Sequence, residues 1–456
     1  MTAAKRNFAM NIKFFIDDIL LSPECGILNK NQMEGVLMKF IHAADIHLDS
    51  PMLGLEKYDG APVDEARGAT RRALQNLVAL AVEESVDFVL IAGDLYDGDW
   101  KDYNTGLFLV SQMAVLRENN IKAVIVAGNH DAASQITRNL RLPDNVRVLA
   151  ANKPETFVLE SEGVAIHGQG YSTRAVTENL AAAYPKADPD LLNIGVLHTC
   201  LEGREGHEPY APCTLNDLMS RGYEYWALGH VHKKEIISES PMVVFSGNTQ
   251  GRNIRETGAK GCMLVNADNG EIKGIEFKNL DVFRWSSLEI DISAAKDIDD
   301  VFEIAEKVIK KEAGAYSMPL AVRINLTGSS RLHGRILSRE EHVKSGIRAC
   351  AVDCGNGNIW VEKICFNTRD ISARQAPLAG SDALRGLLDS ISSLQYDEKA
   401  LSEIAGEFAD LFRKLPHEYL SDTEAIHPER KETLIRATED VRHMLLSRIL
   451  SSGGGR

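Results

Sequence analysis

Five short apolar runs in this chain each end, on their C-terminal side, in residues that bind metals. "KFIHAADIHLD" delivers Asp45 and His47, and "FVLIAGDLYDG" delivers Asp94. "AVIVAGNHD" delivers Asn129 and His130, "NIGVLHT" delivers His198, and "EYWALGHVH" delivers His230 and His232. A short apolar run closed by turn-forming residues reads as a strand buried on both faces. Between the first two runs lies "ATRRALQNLVALAVEES", with apolar residues at helical spacing. This alternation predicts an α/β fold, and "PMVVFSG" and "GCMLVNA" read as further strands. In an open α/β sheet, ligands gather beyond the C-terminal ends of the strands. Five such ends at one edge would make one compact site.

Asp45, His47, Asp94, Asn129, His198, His230 and His232 exceed what one catalytic ion takes from a protein. They suit two divalent ions about 3.5–4 Å apart that share a carboxylate. Mixed oxygen and nitrogen donors without thiolate favour Mn²⁺, with Fe or Zn as alternatives, over Ca or Cu(I). A lone strand-end histidine is a surface or capping residue, and a lone "GD" is a turn. The ordered set, each member after an apolar run, is what those readings do not account for. His230 and His232 would share a face if the strand continued, and could serve different partners if it has ended.

The chain has 456 residues, 44% hydrophobic and 25% charged, enough for about two or three soluble domains. Its net charge of −14 argues against a surface that coats nucleic acid throughout, but allows a local basic track. The seven cysteines never fall in C-x-x-C spacing, which predicts free thiols in a reducing compartment. No apolar run approaches the roughly 20 residues that span a bilayer, and no signal peptide is read. The expectation is a cytoplasmic protein without a membrane partner.

Residues 1–37 read as an N-terminal extension, disordered or preceding the true start, because Met38 directly precedes the first strand. Residues 38–280 form the predicted metal-binding domain. Residues 281–375 read as a small α/β domain: "SSLEIDIS" and "LAVRINLTG" as strands, with "DIDDVFEIAEKVIKKEAG" as a helix of acidic start and basic end. Residues 376–456 turn helical, with amphipathic stretches "SDALRGLLDSISSL", "EKALSEIAGEFADLFRKL" and "KETLIRATEDVRHMLLSRIL".

The series D-x-H, GDLYD, GNHD, H-T and GHVH resembles the calcineurin-like metallophosphoesterase superfamily. The phrases "HAADIHLDSPMLGL", "VDFVLIAGDLYDGDW" and "FSGNTQGRNIRETGAKG" resemble its SbcD-like DNA-repair exonucleases of the YhaO type. The resemblance implies a layered α/β sandwich core, a small α/β capping domain and a helical C-terminal region. It places one ion on Asp45, His47, Asp94 and His232, and the other on Asp94, Asn129, His198 and His230. It matches His130 to the family's non-ligand histidine, read as general acid or transition-state stabiliser, and Asp131, next in the chain, is read from its own chemistry as a carboxylate that would hold His130 in position. It further implies DNA as substrate and an SMC-like coiled-coil ATPase docked on the helical tail, and it allows a second copy, in a homodimer, as a further partner.

One position departs from that pattern. Where some such nucleases carry a second histidine, this chain has Asp97, which cannot act as a cation at neutral pH. Candidate phosphate-handling residues are Arg67, Arg71 and Arg72, then Arg252 and Arg255, and the strip Arg331, Arg335, Arg339, Lys344 and Arg348. Two rival readings stay open: another metallophosphoesterase, acting on a cyclic nucleotide or a phosphoprotein, and a non-catalytic scaffold of the same fold. "GDLYDGD" and "GNHD" differ from the "GDxxDRG" and "GNHE" expected of a protein phosphatase.

Overall fold

The computed structural model describes residues 37–50, 62–97, 103–133, 140–202, 210–371, 382–394 and 397–412, with a few positions between 434 and 441. The expected N-terminal extension and most of the last amphipathic stretch lie outside these residues. The chain folds as two compact units. The first takes in residues up to 51, 67–250 and 259–281; the second takes in 52–66, 251–258 and 282–456. The division is thus not the simple break at 280/281 read from the sequence. Two excursions, one carrying Arg252 and Arg255, group with the second unit, as do the described C-terminal helices.

The first unit is built on two six-stranded sheets. One contains β1 (Leu37–Ala43), β2 (Phe88–Ala92), β3 (Lys122–Val126) and β4 (Val146–Val148). The other contains β5 (Glu155–Leu159), β6 (Val164–Gly168), β7 (Leu192–His198), β8 (Tyr225–Gly229), β9 (Glu235–Glu239) and β10 (Met242–Phe245). β11 (Gly261–Asp268) and β12 (Glu271–Asn279) complete the first sheet, in the order β12-β11-β1-β2-β3-β4. The second runs β5-β6-β7-β8-β10-β9. β1 to β4 are parallel, as are β6, β7, β8 and β10.

Alternation along each strand produces the layering, because successive side chains point to opposite faces. Phe40, Phe88, Leu90 and Val124 face Ile166, Ile194, Val196 and Tyr225 in a core between the sheets. The neighbours Ile41, Val89, Ile91 and Ile125 pack outward on α1 (Ala69–Glu83) and α2 (Tyr103–Glu118) through Leu74, Leu77, Leu109 and Met113, and the short α3 (Asn129–Ala133) follows β3. Both faces are buried, so the strands read as continuous apolar runs. Phe40 and Phe88 stack at 5.0 Å; truncating such a core ring costs about 3–5 kcal/mol.

The five ligand-bearing runs are β1, β2, β3, β7 and β8. They come from two sheets rather than one, and the single-sheet picture is corrected accordingly: the site forms where the C-terminal ends of two facing sheets meet.

The second unit holds a parallel sheet, β13 (Arg284–Asp291), β14 (Leu320–Ser329) and β15 (Ile359–Arg369), in that order. α4 (Ile298–Ala315) and α6 (Glu340–Gly355), with the short α5 (His333–Ser338) before the latter, make the crossovers. Ile290, Ile292, Ile324 and Leu326 pack against Val301, Ala305, Ile309, Val343 and Ile347 in its core. The side chain of Asp297 caps α4 by accepting from Asp300 N at 2.9 Å, which satisfies an otherwise unpaired amide. Asp299 and Asp300 give α4 its acidic start, but it runs past Lys310 and Lys311 to Ala315, so its last turn is not basic. The strip from Arg331 to Arg348 is largely helix. Two amphipathic helices follow, α7 (Asp382–Leu394) and α8 (Glu398–Phe412). Among the described residues no helix is long and apolar enough to cross a membrane.

Candidate metal centre

The candidate ligands lie at or just past the C-terminal ends of their strands: His198 closes β7, and the others follow β1, β2, β3 and β8 within four residues. β2 ends at Ala92 and β8 at Gly229, and the chain then turns through backbone conformations rare for side-chain-bearing residues. Asp45 (φ 50°), His47 (φ 45°), Asp94 (φ 51°) and His230 (φ 98°) all lie at positive φ. Such residues cost on the order of 1–3 kcal/mol each and persist where surrounding contacts hold them. The turn at β8 also demands glycine: a Cβ on Gly229 would lie 1.8 Å from the Ala92 carbonyl oxygen. The G-H pair therefore reports two sheets closing on each other at the ligands.

Three clusters result, each with its donor atoms mutually within 4.8 Å: Asp45, His47 and His232; Asp45, Asp94 and His198; His47, Asp97 and His130. Asp45, His47, Asp94 and His198 are buried, and Asn129 is 5% exposed. The Nε2 atoms of His47 and His232 face each other at 3.2 Å. On the other side, His198 Nε2 lies 2.9 Å from Asn129 Oδ1. Asp94 Oδ2 stands between the two groups, 3.8 Å from His47 Nε2 and 3.5 Å from His198 Nε2. Its other oxygen accepts from His130 N at 2.9 Å, which fixes the orientation of the carboxylate. His230 joins through its ring, 5.1 Å from that of His198, while its backbone N–H donates to both oxygens of Asp45.

His230 and His232 thus turn to different sides: one beside His198, the other against His47.

The electrostatics of this donor set fit cations. Burial alone would push the His198 imidazole down, but the Asp94 carboxylate, with Asp45 behind it, holds it up to about 9. Burial would likewise raise Asp94, yet the surrounding imidazoles hold it well below the usual carboxylate range. Asp45 is raised by its own burial. Two buried carboxylates among converging nitrogen lone pairs call for positive charge, and an ion of Mn, Fe or Zn type supplies it. His198 Nδ1 lies 3.0 Å from the Ala92 carbonyl; a proton there leaves Nε2 as the donor atom toward an ion.

His130 stands at the rim, with its Nδ1 3.1 Å from Asp97 Oδ1. Ser50 Oγ donates to the second Asp97 oxygen at 2.5 Å. The assignment of Asp131 as the orienting carboxylate is therefore corrected. Asp131 is buried and accepts from the backbone N–H groups of Gly128 (2.9 Å), Leu95 (3.1 Å) and Tyr96 (2.9 Å). It ties the β2 and β3 loops together, and burial beside Asp94 pushes its pKa up to about 6. Asp97, which the sequence marks only as a missing histidine, is the carboxylate that meets His130. Nothing in the sequence marks His42, fully buried in β1. Its ring lies 2.9 Å from Tyr225 Oη and 3.2 Å from the Leu228 carbonyl, joining the two sheets beneath the ligands.

The basic candidates differ in burial and in the contacts that hold them. Arg71 makes a two-pronged pair with Asp49 at 2.6 and 2.5 Å and lies over Phe108, so it secures the loop after His47 rather than offering itself to phosphate. Arg252 is paired with Glu256 at 3.0 Å, and Lys344 with Glu340 and Glu341. Arg72, Arg255, Arg331, Arg335, Arg339 and Arg348 are exposed. Arg67 is also exposed. Arg67, Arg71 and Arg72 belong to the first unit and the others to the second.

Comparison with known proteins agrees with this geometry. Residues 38–234 match the calcineurin-like phosphoesterase family, and residues 285–369 match the middle domain of metallophosphoesterase YhaO. The uncharacterized metallophosphoesterase YhaO of Bacillus subtilis is 38% identical over 297 residues, covering 64% of this chain and 72% of that protein. Two proteins named DNA double-strand break repair protein Mre11 are more distant. That of Methanopyrus kandleri is 25% identical, covering 68% of this chain and 72% of its own. That of Methanocaldococcus jannaschii is 24% identical, covering 60% and 75%. The ligand-bearing strand ends and the parallel second unit fall within the two matched spans, and the chain belongs to the calcineurin-like metallophosphoesterases of the YhaO type.

Proposed function

We propose that the chain is a two-metal phosphodiesterase that degrades DNA from its ends in repair, together with a coiled-coil ATPase of the SMC type. The observation that carries the hydrolase reading is Asp94 Oδ2 set between His47 and His198, with His130 at the rim. Likeness to proteins named for double-strand break repair supports DNA as substrate. In this reading Asp45, His47, Asp94 and His232 hold one ion, and Asp94, Asn129, His198 and His230 the other. Two divalent ions held there, Mn²⁺ foremost, would supply positive charge against the phosphodiester and a lowered pKa for water near neutral pH.

The chain's own groups supply the rest. Asp97 accepts from the Nδ1–H of His130 and favours the doubly protonated ring, whose Nε2–H is then the proton given to the departing alkoxide, leaving neutral imidazole. General acid help of this kind is worth about 10²–10⁴-fold. Asp131 and His42 act on geometry alone. The exposed arginines Arg72, Arg255, Arg331, Arg335 and Arg339 are assigned to the DNA backbone, where they would add affinity without reading sequence.

The test is cleavage of end-labelled duplex and single-stranded DNA with Mn²⁺, with bis-p-nitrophenyl phosphate as a small diester, for wild type beside His130→Ala. Loss of both activities in the variant is expected. Hydrolysis of the small diester alone would point to another phosphodiester substrate or to a nuclease awaiting its ATPase. Inertness of metal-loaded wild type on every substrate would point to a scaffold.

A further inference from the structure

The two sides of the centre are braced through main-chain carbonyls by buried donors on different elements. Lys260, 7% exposed and just before β11, donates from Nζ to the His232 carbonyl at 2.9 Å. A buried ammonium is costly unless its hydrogens are accepted, so this contact is a fixed feature rather than a passing one. The same carbonyl is walled in from the other side. Gly247 (φ 75°) leaves it room, since a Cβ there would come within 3.1 Å of it. Next along the chain, Asn248 is fully buried and bridges to Ala44, the residue before Asp45. Lys260 thus reaches His232 from beside Asn248, whose carbonyl accepts from Gly261 N at 3.1 Å. On the other side, the Tyr171 hydroxyl donates to the His198 carbonyl at 2.8 Å, and its ring stands edge-on to that of His198 at 5.5 Å.

We infer that Lys260 is a positioning residue for the ion on the Asp45, His47 and His232 side, and that Tyr171 serves the ion on the His198 side separately. The inference rests on the two-ion reading above. His232 follows a turn whose first residue, His230, is itself at φ 98°, so its ring direction depends on what holds the backbone after the turn. Lys260 meets His232 through the main-chain carbonyl. It acts by keeping the His232 ring aimed at His47.

The experiment is equilibrium dialysis of metal-free full-length protein with Mn²⁺ alone, followed by melting with and without Mn²⁺. Wild type is expected to take up two ions. Lys260→Met should weaken one of them about 10–100-fold, the usual effect of losing a group that supports a ligand, and leave the other unchanged. Tyr171→Phe should also weaken only one. The double variant decides the separation: two weakened ions support two independent braces, whereas one tight ion remaining would mean that both act on the same ion and would overturn it. Lys260→Arg, which keeps a cationic donor, should restore much of the affinity. Lys260→Gln replaces the Met variant if the latter does not fold. Two unchanged ions in a folded Lys260→Met protein would overturn the role of Lys260, as would equal loss of melting temperature with and without Mn²⁺. Wild type that binds no Mn²⁺ would instead count against the two-ion reading itself.

Discussion

The two units place their costs differently. In the first, Asp45, His47, Asp94 and His230 sit at positive φ, and buried carboxylates and imidazoles converge where two sheets end. In the second, the one described non-glycine residue at positive φ is Asn356, in an ordinary left-handed helix cap, and the core is aliphatic. Its arginine strip is carried on the outside of α5 and α6. Positive-φ residues and buried carboxylates and imidazoles converging at one edge mark where chemistry is done; in the second unit the buried Glu362 is matched by Arg323 at 2.8 Å, and regular packing marks a support or a binding surface.

The sharpest way to break that contrast is Asp94→Asn. It removes the bridge and should lower diester hydrolysis by more than about 10³-fold, because a two-ion clamp contributes several kcal/mol. An effect below tenfold, measured on metal-loaded protein, would remove Asp94 from its central place. Next comes the pair of carboxylates around His130. Asp97→Asn should cut kcat by about 10–100-fold with the melting temperature kept. Asp131→Asn should lower stability by about 3 kcal/mol, since it weakens the hold on three buried N–H groups. Chemical denaturation and kinetics on the same samples separate the two; the reverse pattern would restore Asp131 as the orienting group.

His42 gives a pH signature to the first unit. Burial pushes its pKa down to about 3, although the Leu228 carbonyl pulls the other way. The unfolded chain binds that proton near pH 6.5. Stability from neutral His42 is therefore whole above pH 6.5 and falls toward pH 3, by up to about 1.4 kcal/mol per pH unit. Melting temperatures from pH 7 to 4 should fall less steeply in His42→Asn. Identical slopes would mean that other groups carry the acid sensitivity.

The smallest effect belongs to the second unit. Arg331→Ala with Arg335→Ala should leave hydrolysis of the small diester unchanged and weaken DNA binding. The log–log salt slope should shrink by about 0.9 for each phosphate that the two arginines no longer neutralise. An unchanged slope would take the strip out of DNA binding.

The candidate ligands were legible because five apolar runs in order each end in Asp, His or Asn, and a turn or cap accounts for one such residue but not for the set. The division of those runs between two sheets was not, because both kinds of sheet bury both faces and leave the same pattern. β5, β6, β9 and β12 were hidden for a related reason: "ETFVL" and "VAIHG" are short, and β9 and β12 mix exposed and half-buried residues. Asp131 misled because it is next to His130 in the chain. On a turn of helix, neighbours point apart, and the carboxylate that reaches His130 comes from the β2 loop 33 residues earlier. Arg71 resembles a phosphate ligand in the sequence because nothing there shows that Asp49, 22 residues away, holds it.

Anomalous diffraction from crystals grown with Mn²⁺ tests the central claim most directly. The account expects two peaks about 3.5–4 Å apart with Asp94 between them, one against His47 and His232 and the other against His198 and Asn129. A single peak, or a pair that Asp94 does not bridge, would contradict it.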